Sequence, residues 1–188
     1  MVEEEIGYKS LDIATDEQKE SIEMIQDLDI GNYQKAELIL IILGLKPATE
    51  LLFYKNNKKP EESVKKLKET KQLHVLEKKI RSGDKKAIKS FAVAKSKEEA
   101  KKVLTNNADE DQEQYGRSMG YPETAVTAFL DGEDALLDEE HCPDMEGIIF
   151  DQIRLSKKHY KEEITLLKYW SDIVNKYAPK LYNELNNN

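Results

Sequence analysis

Cysteine is almost missing from this chain: Cys142 is the single one in 188 residues. One thiol cannot close an internal disulfide, so packing alone must hold the fold, and the usage suits a reducing, cytoplasmic compartment. The opening residues, Met1-Val2-Glu3-Glu4-Glu5, are acidic where a signal peptide would be basic and then apolar. Long hydrophobic runs are missing too. The longest, Leu38 to Leu43, falls far short of the roughly twenty residues a membrane helix needs, so no membrane partner is expected. Glycine is scarce, and none of the eight falls in a Walker or dinucleotide pattern, so no nucleotide cofactor is expected. A serine nucleophile elbow is lacking as well. His141 and Cys142 lie among Asp138, Glu139, Glu140 and Asp144, but without zinc-ligand spacing, so an acidic solvated loop with no metal is the expectation. His74 and His159 stand alone on expected secondary structure, where a solvent-facing histidine is commoner than a catalytic one.

Charge, by contrast, is abundant and segregated. Residues 1–32 carry ten acids against Lys9 and Lys19, residues 54–102 carry sixteen lysines and Arg81 against seven acids, and residues 107–147 carry thirteen acids against Arg117. A basic block of this size could bind nucleic acid or another polyanion through phosphate contacts. The net charge of -8, the preference for lysine over arginine and the lack of interleaved aromatics in the block argue instead for mutual neutralisation of faces.

With 39% hydrophobic residues, the chain can bury a core without staples. A single α+β domain over 1–188 is expected, mostly helical, with a small sheet of about three strands, antiparallel or mixed, and a long C-terminal helix. Its parts are a helical region 1–53, the basic middle 54–106, the acidic segment 107–147 and a strand-plus-helix region 148–188. Thr15 and Gln18 form a capping box before an amphipathic helix over 16–28. Asn32 can cap a second, all-round apolar helix, with a buried strand as its rival. Ala48 to Tyr54 reads as a short helix or turn. Pro60 opens a helix through Lys71 with acids first and lysines last. Leu73, Val75 and Ile80, then Phe91 and Val93, alternate as a hairpin-like pair of strands, and Ser96 with Glu99 caps the next helix. Met145 to Ser156 is the third expected strand. It leads through Ser156 into a helix, echoing the passage from Phe91 through Ser96. Tyr160, Ile164, Leu167, Trp170, Val174, Tyr177 and Leu181 then mark one apolar stripe, which Pro179 bends near its end. That stripe is either core or a surface through which Trp170, Val174 and Tyr177 meet a partner or a second copy.

Residues 115–129 carry the most unusual chemistry. Gly120 suits the left-handed turn that closes a helix beginning at Asp109, Tyr121 is pushed extended by Pro122, and Pro122 opens a new helix. Val126 and Phe129 should face inward. Tyr115, Arg117, Tyr121 and Glu123 then gather near the corner, able to hold a small anion or a peptide carboxylate. Turn chemistry also accounts for the glycines and proline, with Arg117 pairing with nearby acids and the tyrosines packing the corner.

The string Tyr115-Gly116-Arg117-Ser118-Met119-Gly120-Tyr121-Pro122-Glu123 resembles a motif of a prokaryotic protein family found chiefly in archaea. The C-terminal run around Ser156 to Glu163, Trp170 and Ala178 to Tyr182 is compatible with it. The likeness covers about the second half of the chain and implies no activity. Members often carry adjacent cysteines just after the turn; Thr124 and Ala125 stand here instead, so no thiol or metal role transfers. The expectation is a cytoplasmic binding or regulatory module, with the 115–123 corner as its surface and an unidentified protein or small anionic ligand as its partner. The rivals are a small enzyme, with Arg117 positioning an anionic substrate and Glu123 as general base, and polyanion binding by the lysine-rich 54–102 segment. No catalytic set and no cofactor are assigned.

Overall fold

Thr15 begins the first helix as its side chain dictates: its Oγ1 accepts from Gln18 N at 3.2 Å, and Gln18 Oε1 accepts from Thr15 N at 2.9 Å. In the computed structural model, which describes residues 14–55, 57, 59–78, 87–105, 111–132, 135–137 and 145–187, this helix is α1 (Asp16–Gln26). It is followed by α2 (Asn32–Ile42), β1 (Ala48–Tyr54), α3 (Pro60–Glu69), β2 (His74–Lys78), β3 (Ala87–Ala94), α4 (Lys97–Thr105), α5 (Gln112–Ser118), α6 (Glu123–Asp131), α7 (Tyr160–Tyr177) and α8 (Pro179–Asn186). The chain is α+β. The strand order is β1-β3-β2, and both pairings are antiparallel.

Alternation sends successive strand residues to opposite layers. Leu51, Phe53, Phe91 and Val93 enter a large core built with α1, α2, α3, α7 and α8, whereas Ala48, Ala92 and Ala94 meet Ala100 and Val103 of α4 and Met119 beyond α5. The small alanines let α4 lie close on that second face. In the larger core, Phe150 is the middle ring of an edge-to-face series, with Tyr33 at 5.5 Å and Trp170 at 5.7 Å between centroids.

Two strand expectations require correction. Ala48–Tyr54 is not a helix or turn but the strand β1. Its Ala, Glu and Leu residues favour a helix locally, yet pairing along β3 from Ala48↔Ala94 to Phe53↔Lys89 outweighs that preference. Residues 145–156 form no strand. Ile148, Ile149 and Phe150 are buried consecutively, which a pleated strand facing one core cannot do. The Ile149 N–H donates to Ser171 Oγ of α7 at 3.1 Å instead of to a ladder, and only an isolated bridge, Leu136↔Ser156, has strand character. The supposed echo of the Phe91–Ser96 passage therefore reduces to the cap: His159 N donates to Ser156 Oγ at 2.9 Å, as Glu99 N does to Ser96 Oγ at 3.1 Å. Asn32 is also displaced from its expected role. It is the first residue of α2, and its side chain donates to Glu184 at 3.0 Å while Gly31 takes the cap position. Ile80 lies outside the described residues.

Pro179 does more than bend the last helix. Ala178 leaves the helical region at φ -146°, ψ 62°, and the chain restarts as α8. The stripe on α7 packs into the core: Trp170 and Val174 are buried within this chain, and Tyr177 is half-buried against the same cluster. Val174→Ala is expected to lower unfolding free energy by about 2 kcal/mol, from two lost buried carbons plus a residual cavity. Urea unfolding checks it. A change near zero would mean that the stripe is not packed as described.

Candidate functional site

The corner at 115–123 is built by local rules. Asp111 caps α5 by accepting from Gln114 N at 2.9 Å. At the other end Gly120, at φ 74°, closes the helix: its N–H reaches Arg117 O at 3.0 Å and the Tyr121 N–H reaches Gly116 O at 3.1 Å. Pro122 precedes α6 and is extended at ψ 132°. The turn sits hard against the loop after α2, since a Cβ at Gly120 would lie 2.3 Å from Pro47 Cδ. The pairing of Glu163 anchors the far side. This buried α7 carboxylate accepts from Thr124 Oγ1 at 2.5 Å and from Ser156 N at 2.7 Å, so α6 is tied to α7.

The four expected site residues separate into two pairs. Arg117 and Glu123 are exposed and bind each other: Arg117 Nε lies 3.1 and 3.0 Å from the two carboxylate oxygens of Glu123, Nη2 lies 2.5 Å from Oε1, and Nη1 lies 2.7 Å from Glu113. Hydrogen bonding to Arg117 holds the Glu123 carboxyl below its ordinary range. The charged form is thus favoured by folding, an advantage present above the ordinary carboxylate value and lost as pH falls through the lowered one. A general base needs the opposite shift, and Glu123 does not line the cleft described below.

Tyr115 and Tyr121 turn the other way, toward the sheet. The Tyr115 hydroxyl donates to Glu50 Oε2 at 3.1 Å, and Lys78 Nζ lies 5.2 Å from the ring centroid. Tyr121 has Lys46 Nζ at 5.4 Å from its centroid; burial, with added repulsion from Glu37 and Glu50, pushes its phenol up to about 12. The lysines themselves are buried in ion pairs. Lys46 pairs with Glu37, whose other oxygen accepts from Thr49 Oγ1 at 2.5 Å. Lys78 lies 2.9 Å from Glu50, which also accepts from Ser90 Oγ at 2.7 Å. Thr49 and Glu50 are neighbours on β1, so the two pairs stand on opposite faces of one strand.

Between the tyrosines and the 152–154 segment lies a cleft of about 320 Å³. Tyr115, Gly116, Tyr121, Val126, Phe129 and Ile153 form its apolar walls, and Gln112, Gln152 and Arg154 add polar groups. Phe129 does not face inward as expected; at 44% exposed it forms an outer wall of this cleft. Helical phase puts Phe129 on the same side of α6 as Ala125 and Val126, but its ring lies in the last turn of the helix, where the cleft opens to solvent.

Sequence reasoning named Tyr115 and Tyr121, which line the cleft, and did not name Arg154, Gln152 or either ion pair. A lone Glu37 inside the run from Ala36 to Leu43, and Glu50 within an otherwise apolar strand, were the readable signals. Their lysines carried none, being two among many. His74 and His159 are exposed, and the 138–144 stretch with His141 and Cys142 lies outside the described residues. Comparison with known proteins found no matching family model, no matching curated protein and no matching solved structure.

Proposed function

We propose that this chain is a cytoplasmic binding module whose ligand enters the cleft between Tyr115, Tyr121 and Phe129. The observation that carries the reading is the cleft itself: concave, mostly apolar, with a few polar groups at its margin, and placed where the tight turn fixes two aromatic walls. The motif's likeness to the archaeal family implies no activity, so the reading stands on geometry. The enzyme alternative is weakened by Glu123, a surface carboxylate held charged by Arg117. Polyanion binding is weakened by pairing within the basic block: Lys59, Lys65, Lys66, Lys78 and Lys89 each meet a carboxylate. For the exposed pairs the attraction is small, but the neighbouring acids also lower the local positive potential. No helix among the described residues is long and apolar enough to cross a membrane.

A neutral apolar dye, N-phenylnaphthylamine, tests the proposal by fluorescence titration. Saturable binding at one site per chain is expected. Phe129→Ser should weaken it about tenfold by removing an aromatic wall, with the thermal unfolding curve unchanged. Leu130→Ser, at an equally exposed position outside the lining, should bind as the wild type does. Binding that is not saturable, or that ignores Phe129→Ser, overturns the reading.

A further inference from the structure

We infer that Glu163 sets the width of the cleft and so restricts its ligand to a flat, neutral molecule no wider than about two fused rings; this rests on the reading that the cleft is a binding site. The cleft has two walls from separate parts of the chain. Ala125, Val126 and Phe129 of α6 stand on one side with the tyrosines, and Gln152, Ile153 and Arg154 stand on the other. Glu163 is bonded to both sides. Its Oε1 accepts from Thr124 Oγ1 at 2.5 Å, next in sequence to the lining residue Ala125, and its Oε2 accepts from Ser156 N at 2.7 Å, shortly beyond Arg154. The Ser156 end is itself fixed, since Leu137 N donates to Leu155 O at 2.8 Å and Lys157 N to Ala135 O at 2.9 Å. A single buried carboxylate thus brackets the two walls.

The bracket acts where α6 is otherwise weakly held. The cleft of about 320 Å³ runs along Ala125, Val126 and Phe129, while a second of about 460 Å³ runs along Thr124, Thr127 and Asp131, so open space flanks the helix on both sides. Its main packing partner among the described helices and strands is α5, which belongs to the same wall. Helix packing alone does little to fix that wall against 152–154. Glu163 is also an expensive group to bury: among the described residues no ammonium or guanidinium pairs with it, and two hydrogen bonds and the first turn of α7 must offset its desolvation. An apolar side chain would fill the place more easily and join nothing. At about 320 Å³ the cleft is near the lower end of small-molecule sites, roughly 300 to 1,000 Å³, and a wider ligand requires the walls to part.

Two neutral fluorescent probes, naphthol with two fused rings and hydroxypyrene with four, test this by parallel titration, with thermal unfolding recorded for each protein. Thr124→Val removes the α6 end of the bracket and should shift the ratio of the two affinities about tenfold toward hydroxypyrene, the scale of one hydrogen bond to a charged group. Loss of stability alone would not change which probe is preferred. Thr127→Val is the control: its hydroxyl bonds only Glu123 O within α6, at 2.9 Å, so the wild-type ratio should persist. Glu163→Gln should also keep that ratio, because the amide oxygen can accept from Ser156 N and the amide nitrogen can donate to the Thr124 hydroxyl. An unchanged ratio in Thr124→Val, or an equal shift in Thr127→Val or Glu163→Gln, overturns the inference, while naphthol binding still supports the cleft as a site. If Thr124→Val does not fold, Glu163→Gln decides, and a shifted ratio there overturns the inference. If neither probe binds while phenylnaphthylamine does, the inference falls alone; if none of the three binds, the binding reading falls with it.

Discussion

Glu37→Ala is expected to destabilise the protein by about 3–5 kcal/mol, the largest effect of a single substitution outside the aromatic core. The carboxylate sits inside α2, a helix buried nearly all round, and it neutralises Lys46, whose side chain is 1% exposed. Truncation leaves that ammonium in the interior with the Tyr121 ring as its remaining described neighbour of suitable charge, and it also leaves the Thr49 hydroxyl without its acceptor. A double variant separates the cost of an orphaned charge from the cost of lost packing. Glu37→Leu combined with Lys46→Met removes both charges at similar volume and should recover most of the loss, because a buried ion pair is seldom more stable than well-packed apolar residues. Urea unfolding of the three proteins provides the measurement. A single variant that loses less than about 1 kcal/mol would show that Lys46 finds water or another acceptor when Glu37 is gone.

Gly120→Ala should cost about 2–5 kcal/mol, for two separate reasons. The residue has φ 74°, where an L side chain is strained, and its new Cβ would stand 2.3 Å from Pro47 Cδ and 2.9 Å from Pro47 Cγ. A proline ring cannot rotate aside, so the corner must lift from the loop after α2. Tyr121 would move with it, and dye binding in the cleft should fall along with stability. Gly132 provides the comparison. It has φ 100° and ψ 179°, a region essentially restricted to glycine, yet nothing lies within 4 Å of its Cβ position, so Gly132→Ala should incur the backbone term alone, about 1–3 kcal/mol. Equal losses at the two positions would mean that the contact with Pro47 is not what holds the corner in place.

The corner shows how far local reasoning reaches. Gly120, Tyr121 and Pro122 specify the helix stop, the turn and the restart through backbone preferences that act over a few residues, and the structure has all three. The direction of each side chain around that turn is another matter. Tyr115 and Arg117 are two positions apart on α5, which puts them about 200° apart around the helix axis, so a cluster containing both was geometrically strained from the start. The helix phase sends the tyrosine to Glu50 and the arginine to Glu113 and Glu123. Ala48–Tyr54 marks a different boundary. Its local leaning toward a helix is outweighed by a partner strand that lies some forty positions away at Ala87–Ala94.

Composition, caps, helical periodicity and the turn were therefore determined by the sequence alone, because each depends on interactions between near neighbours along the chain. Tertiary structure decided that β1 is a strand, that α7 faces its own core, and that Lys46 and Lys78 out of many lysines are buried behind two tyrosines. Those outcomes rest on contacts between distant segments, where burial and strand pairing outweigh the few tenths of a kcal/mol that separate local conformational preferences.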